Sequence, residues 1–178
     1  ITDYIISELT GEKVLIHVSN AASLGLFDMT KGIFDLNAIE KLGIGDLSIC
    51  DITSENKIVG FYKNIPVAVS IGDNQASFLG AVRNEDESVL LNYGTGSQIS
   101  VMSENICECQ TFETRPYING KYLVCGAALC GGAAYAILNK FFSEYAYEIT
   151  GIKKPQYDIM NIMAERAYSK ERSLKTYT

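Results

Sequence analysis

A single carboxylate, Asp73, stands where the apolar run Pro66-Val67-Ala68-Val69-Ser70-Ile71 gives way to Gly72, and two amides, Asn74 and Gln75, follow it. Further on, Leu91-Asn92-Tyr93 runs into Gly94-Thr95-Gly96-Ser97, a glycine turn inside another apolar, β-rich stretch. A carboxylate beside a hydroxyl can take its proton, and free backbone N–H groups can balance phosphate charge. Together they suit phosphoryl transfer to an alcohol. Each motif also has a purely structural reading. An Asp after a strand caps helices, and Gly-x-Gly supplies the positive φ that hairpins need.

These residues need elements to hold them. Residues 1–12 read as the last turns of a helix, with Ile5, Ile6 and Leu9 on one face and Gly11 as its stop. Residues 13–34 alternate between short strands and turns, and Asn37–Leu42 is a short amphipathic helix closed by Gly43. Ile58–Tyr62 and Pro66–Ile71 are expected strands, with Pro66 at a strand start, where its missing N–H does no harm. Asp73 then falls at the end of a buried strand, partly desolvated, which raises a carboxylate's proton affinity. Gln75–Val82 follows as a helix packed through Ala76, Phe78, Leu79 and Val82.

The charged stretch Arg83-Asn84-Glu85-Asp86-Glu87 reads as a crossing between domains. Ser88–Tyr93 and Ser97–Met102 form a hairpin about the glycine turn, and Lys121–Cys125 is another strand. Gly132–Tyr147 is a long helix packed through Ala133, Ala134, Ile137, Leu138 and Phe141, and Pro155–Ala167 is a further helix. The mixture predicts an α/β or α+β fold.

Composition removes several classes of function. A net charge of −6 without a basic patch argues against nucleic acid or an anionic membrane surface. No apolar run approaches the ~20 residues that span a bilayer. The five cysteines (Cys50, Cys107, Cys109, Cys125, Cys130) are odd in number, which disfavours a disulfide framework and fits a reduced, cytoplasmic setting. Cys107-Glu108-Cys109 lacks a second ligand pair, so free thiols, surface or half-buried, are expected there rather than zinc. His17, the single histidine, has no triad partner in sight and is expected on a strand or its edge.

The flanks of these motifs resemble the FGGY carbohydrate kinases, nearly from end to end. Asp3-Tyr4 with Leu9-Thr10-Gly11 is similar to the family's D-Y-x-x-x-x-L-T-G signature, and Asn20-Ala21-Ala22-Ser23-Leu24-Gly25-Leu26-Phe27-Asp28 to its N-A-S-x-T-x-L-F-D stretch. Gly72-Asp73-Asn74-Gln75-Ala76 looks like the segment carrying the family's catalytic aspartate. Asn92-Tyr93-Gly94-Thr95-Gly96-Ser97 resembles its second phosphate motif. Gly126-Ala127-Ala128-Leu129-Cys130-Gly131-Gly132-Ala133 is similar to the glycine-rich start of a following helix. Within the family the wording is most like sedoheptulokinase-type sequences. Glycerol kinases typically read Gly-Asp-Gln-Gln at the first site, and xylulokinases Gly-Thr-Ser at the second.

The resemblance implies two ribonuclease-H-like lobes of the actin-type ATPase architecture, present here only in part. Residues 1–82 would close the first, sugar-binding lobe, and residues 83–178 would open the second, nucleotide-binding lobe. The family's first phosphate loop would lie before residue 1 and its adenosine motif after residue 178, so the piece alone is expected to be inactive. The resemblance makes Asp73 the general base, with Asn74 and Gln75 on the sugar. It sets Gly94, Thr95, Gly96, Ser97, Gly131 and Gly132 against the nucleotide phosphates. ATP is the implied cofactor, with Mg2+ arriving on it and no side-chain metal site. The implied partner is a small sugar, a ketose such as sedoheptulose; a homodimer is left open. The alternatives are a xylulokinase- or glycerol-kinase-type member, a non-catalytic actin-like nucleotide-binding module, or a small binding domain in which both motifs are structural.

Overall fold

The computed structural model describes residues 1–45, 50–128 and 131–168. Chain order is α1 (Thr2–Thr10), β1 (Leu15–His17), α2 (Val18–Ala22), β2 (Phe27–Asp28), β3 (Ile33–Phe34), α3 (Leu36–Lys41), β4 (Asp51–Thr53), β5 (Ile58–Tyr62), β6 (Ile65–Ala68) and α4 (Asp73–Ala81). Then come β7 (Val89–Tyr93), β8 (Ser97–Ser103), β9 (Glu113–Pro116), a 3-10 turn (Ile118–Gly120), β10 (Tyr122–Ala128), α5 (Gly132–Thr150) and α6 (Tyr157–Ala167).

The described residues fall into two compact units: Ile1–Leu90 with Ile99–Gly126, and Leu91–Gln98 with Ala127 onward. These units follow packing, whereas the boundary expected at 82/83 is one between lobes. Phe78, on α4, is fully buried in one cluster with Tyr117, Ile118, Leu123 and Cys125, so residues 99–126 count with the chain before them. Phe78 and Tyr117 meet edge to face with ring centroids 5.8 Å apart.

In the first unit β1 pairs with β4 in parallel, Ile16 opposite Ile52. β5 and β6 form a tight hairpin whose loop residues Lys63 and Asn64 both have positive φ, as a type I′ turn requires. α1 ends as expected at Gly11, left-handed at φ 73°, with its N–H on the Ser7 carbonyl. Its buried residue, however, is Asp3 and not the apolar face: Ile5 and Leu9 are exposed. Residues 18–22 are helical where strands and turns were expected. The His17 ring caps this short helix by accepting the Ser19 N–H.

A four-stranded sheet has the order β7-β8-β10-β9. β9 lies antiparallel to β10, with Leu123 opposite Arg115. In the second unit α5 runs into Gly151, and the Gln156 N–H at the start of α6 donates to Asn139 Oδ1 at 2.7 Å. Tyr135 and Tyr157 meet with ring centroids 5.6 Å apart and planes tilted by 39°. The expected packing face of α5 is not buried among the described residues: Ile137 and Phe141 are exposed, and an apolar cleft of about 300 Å³ lies between the helices, lined by Leu138, Phe142, Met160 and Met163.

Candidate active site

The expected strand before Asp73 stops early. β6 ends at Ala68, residues 69–72 are irregular, and Asp73 is the first residue of α4, with Gly72 at the N-cap. Asp73 is exposed, so burial does not desolvate it as the sequence reading expected. Its Oδ1 accepts the Asn74 N–H at 2.7 Å. A negative charge in a helix's first turn is favourable there.

What fixes this carboxylate is the short segment before it. The Ser70 hydroxyl donates to Asp3 Oδ1, and the Asn20 amide donates to Ser70 O at 3.1 Å and to Ser70 Oγ at 2.9 Å. Asp3 and Asn20 each belong to a motif singled out in the sequence, and they meet at one serine three residues before Asp73. Asp3 is 8% exposed, and its hydroxyl partner keeps the buried carboxylate satisfied.

Gly72 is held by a second chain of bonds. Its N–H donates to Ser19 Oγ at 2.9 Å, and Ser19 Oγ lies 2.8 Å from His17 Nδ1. The Ser19 N–H can only donate, and it too reaches Nδ1, at 3.2 Å. Nδ1 is therefore the acceptor, Nε2 carries the hydrogen, and Nε2–H donates to Ser54 O at 3.3 Å. Burial lowers the His17 pKa from 6.5, against a smaller upward pull from the Ser54 carbonyl, which favours this neutral tautomer. The sequence showed only a histidine without partners; Ser19, its link to Gly72, carried no motif of its own.

The amides after Asp73 divide. Gln75 is buried, 4% exposed, and donates from Nε2 to Pro116 O at 2.8 Å. Its Oε1 packs so closely over Gly72 that a Cβ there would lie 2.4 Å from it. The side chain ties α4 to β9 and lines the cavity beside Asp73, so it does not face open water. Asn74 is half-buried and accepts the Cys125 thiol hydrogen at Oδ1, 3.2 Å. Cys125 is thus a buried thiol; Cys107 and Cys109, where surface or half-buried thiols were expected, are exposed, and Cys50 is half-buried. Cys130 lies outside the described residues.

Asp73 faces a cavity of about 710 Å³ that includes Ser19, Thr30, Gln75, Glu113 and Arg115. The Arg115 guanidinium is bound to Glu113 at 2.7 Å. That hydrogen bond raises its pKa most, with a smaller contribution from the Asp73 charge. Carboxylate, guanidinium, hydroxyls and amide around one hollow can bind a polyhydroxylated molecule and accept a proton from it. Among the described residues no group of three His, Cys, Asp or Glu side chains could hold a metal ion.

The glycine turn sits in the second unit, beside a separate hollow of about 380 Å³ lined by Asn92, Thr95, Gly96, Ser97, Gln98 and Ala127. Its backbone is partly committed. Gly94 N–H donates to Gly96 O at 2.9 Å, Gly131 N–H to Thr95 O and Gly132 N–H to Gly94 O, both at 2.8 Å. The carbonyls of the turn thus cap the start of α5, and the expected phosphate donors Gly94, Gly131 and Gly132 are spent on this clamp. Only glycine fits at 131, since a Cβ would lie 2.3 Å from Ser97 Oγ and 3.0 Å from Gly94 O. The hydroxyl of Ser97 is buried without a partner among the described residues.

No family model matches the chain. It is 31% identical to a glycerol kinase of Thermococcus kodakarensis over 58% of its residues, which is 22% of that protein. Over its whole length it is 25% identical to the sedoheptulokinase of Mus musculus, covering 40% of that protein. In three dimensions it resembles xylulose kinase from Rhodospirillum rubrum with a TM-score of 0.73 and 18% identity, over 94% of this chain and 36% of that one. Plasmodium falciparum glycerol kinase, solved with ADP, gives 0.65 and 24% over 90% of this chain and 34% of that one. The chain spans well under half of each.

Proposed function

We propose that this chain, which belongs to the FGGY family of carbohydrate kinases and has their actin-like ATPase fold in part, serves a protein that moves the γ-phosphoryl group of ATP to a hydroxyl of a small sugar or polyol. A ketose such as sedoheptulose is the proposed acceptor, in line with the full-chain likeness to a sedoheptulokinase, with glycerol and xylulose as the alternative acceptors. Residues 1–82 belong to the sugar-binding lobe and residues 83–178 to the nucleotide-binding lobe in this reading.

The observation that carries it is the cavity with Asp73, Thr30, Gln75 and Arg115 on its wall. Asp73 takes the proton of the attacking hydroxyl as the O–P bond forms. Thr30 and Arg115 supply donors for the other hydroxyls, and Asn74 adds its free amide hydrogens. Gln75 acts from behind by fixing α4 to Pro116. Thr95, Gly96 and Ser97 meet the nucleotide phosphates, while Gly131 and Gly132 shape the turn that presents them. ATP, the phosphoryl donor of this family, brings Mg2+ with it and supplies the electrophile. The solved relative with ADP supports nucleotide use.

A phosphorylation assay of the whole protein with ATP and a panel of glycerol, xylulose and sedoheptulose tests this. Release of ADP dependent on one of these acceptors, with a new phosphomonoester in the 31P spectrum, is expected. Nucleotide binding without acceptor-dependent ADP would instead support a non-catalytic module. The committed N–H groups of Gly94, Gly131 and Gly132 favour that second reading.

A further inference from the structure

Between β8 and β9 the chain runs irregularly through Ile106-Cys107-Glu108-Cys109, and these residues line the same cavity as Asp73 and Arg115. Both thiols are exposed and free. Cys107 is pinned at its backbone: its N–H donates to Thr114 Oγ1 at 3.2 Å, and Thr114 Oγ1 donates to its carbonyl at 2.7 Å. Cys109 is engaged through its sulfur, which lies 3.2 Å from the Thr111 hydroxyl. One thiol is therefore anchored to the first strand residues after the loop, and the other rides on a stretch without strand ladder bonds. Residues two apart have Cα atoms at most ~7 Å apart, close to the ~4.4–6.8 Å that a disulfide spans, so a small bend of the loop brings the sulfurs together.

We propose that Cys107 and Cys109 form an oxidisable thiol pair on the wall of this cavity, with hydrogen peroxide as the reactant. The Cys109 thiolate attacks the peroxide; its S–O bond forms, the O–O bond breaks, and hydroxide leaves and is protonated to water. The Cys107 thiolate then attacks the Cys109 sulfur. The S–S bond forms, the S–O bond breaks and a second water leaves. Two thiols lose two electrons and one peroxide is reduced to two waters. A low-molecular-weight dithiol reverses the reaction.

The Thr111 hydroxyl, followed by backbone N–H groups of residues 110–112, holds the Cys109 pKa below its usual value, so its thiolate fraction is enlarged. Glu108, Glu113 and Arg115 stand on the same cavity wall. Closing the pair draws the 107–109 wall inward and reshapes the hollow beside Asp73. This regulatory consequence rests on the acceptor-site reading above; formation of the bond does not.

The sequence makes the test clean. Trypsin, which does not cut the Arg115–Pro116 bond, leaves Asn84–Lys121 as one peptide whose cysteines are Cys107 and Cys109. The full chain is treated with hydrogen peroxide, alkylated with iodoacetamide and digested. The peptide is expected without label and lighter by two hydrogens, with its halves joined after cleavage at Glu108, while Cys125 stays reduced. In Cys107→Ser the reaction should stop at a sulfenic acid trapped by dimedone; in Cys109→Ser the fast phase should vanish. Both cysteines alkylated as before peroxide, or a Cys109→Ser variant that reacts like the wild type, overturns the pair. If the bond forms yet the full-length protein keeps its acceptor KM within twofold, the pair stands. The reading of this cavity as the acceptor site is then overturned.

Discussion

Asp73→Asn separates a chemical role from a structural one by more than the error of either measurement. In this structure Asp73 is exposed, and its Oδ1 accepts one hydrogen bond, from the Asn74 N–H. An Asn oxygen can accept the same bond. What folding loses is a charge in the first turn of α4, ~0.3–1 kcal/mol, and a weak attraction to Arg115. A loss of ~1 kcal/mol lowers Tm by ~2–4 °C in a domain of this size. A structural residue would therefore leave turnover in the whole protein within a few-fold of normal.

A general base contributes ~10²–10⁴ in rate, which is ~2.7–5.4 kcal/mol of barrier at ~1.36 kcal/mol per decade. The expected result is a kcat reduced by at least ~100-fold, with acceptor and ATP KM changed far less, because the lost interaction belongs to the transition state. Steady-state kinetics on the whole protein, with a thermal melt of each variant, supplies both numbers. A kcat within fivefold of wild type beside an unchanged melt would refute the general-base assignment.

Gly131→Ala places a methyl 2.3 Å from Ser97 Oγ and 3.0 Å from the Gly94 carbonyl. It should lower stability by ~1–3 kcal/mol and weaken ATP binding more than acceptor binding; a urea melt with the wild-type midpoint would contradict the clamp. His17 makes the chain sensitive to acid. Its folded pKa lies below 6.5, so under that pH the unfolded state binds a proton that the folded state refuses, and stability falls with pH by up to ~1.36 kcal/mol per unit. It is the single histidine, so His17→Gln should flatten the stability profile between about pH 6.5 and 5. Matching slopes for the two proteins would show that His17 is not buried neutral.

Local signals were readable in the sequence and long-range ones were not. Gly11 and Gly43 marked helix ends because each needs a left-handed backbone, and Ile58–Tyr62 carried a strand's side-chain pattern to the residue. α2 went unseen because five residues cannot display a helical period, and it stands on the His17 cap and on burial of Ser19 and Ala21. β4 is three residues long and exists through its pairing with β1, far away in the chain. The apolar stripes of α1 and α5 were legible as stripes, but periodicity does not say what covers them. In the site, Asp73 stood out by chemistry, whereas the convergence of Asp3 and Asn20 on Ser70 joins positions nearly seventy and fifty residues apart. The assignment of Gln75 turned on Pro116, which no local pattern announces.

The way the two units share the chain has a consequence for synthesis. The first unit takes residues 1–90, releases the chain for 91–98, and recovers it for 99–126, while the second is built from that short loan and from 127 onward. Emerging from a ribosome, the chain cannot close the first unit's core when Leu90 appears, because Tyr117, Leu123 and Cys125 have yet to arrive around Phe78. The glycine turn is synthesised before this closure but acquires its clamp only when Gly131 and Gly132 follow. The Asp73 segment and the glycine turn, read early, are therefore finished late and almost together, and a ribosome stalled between them would hold a chain with neither in its final form.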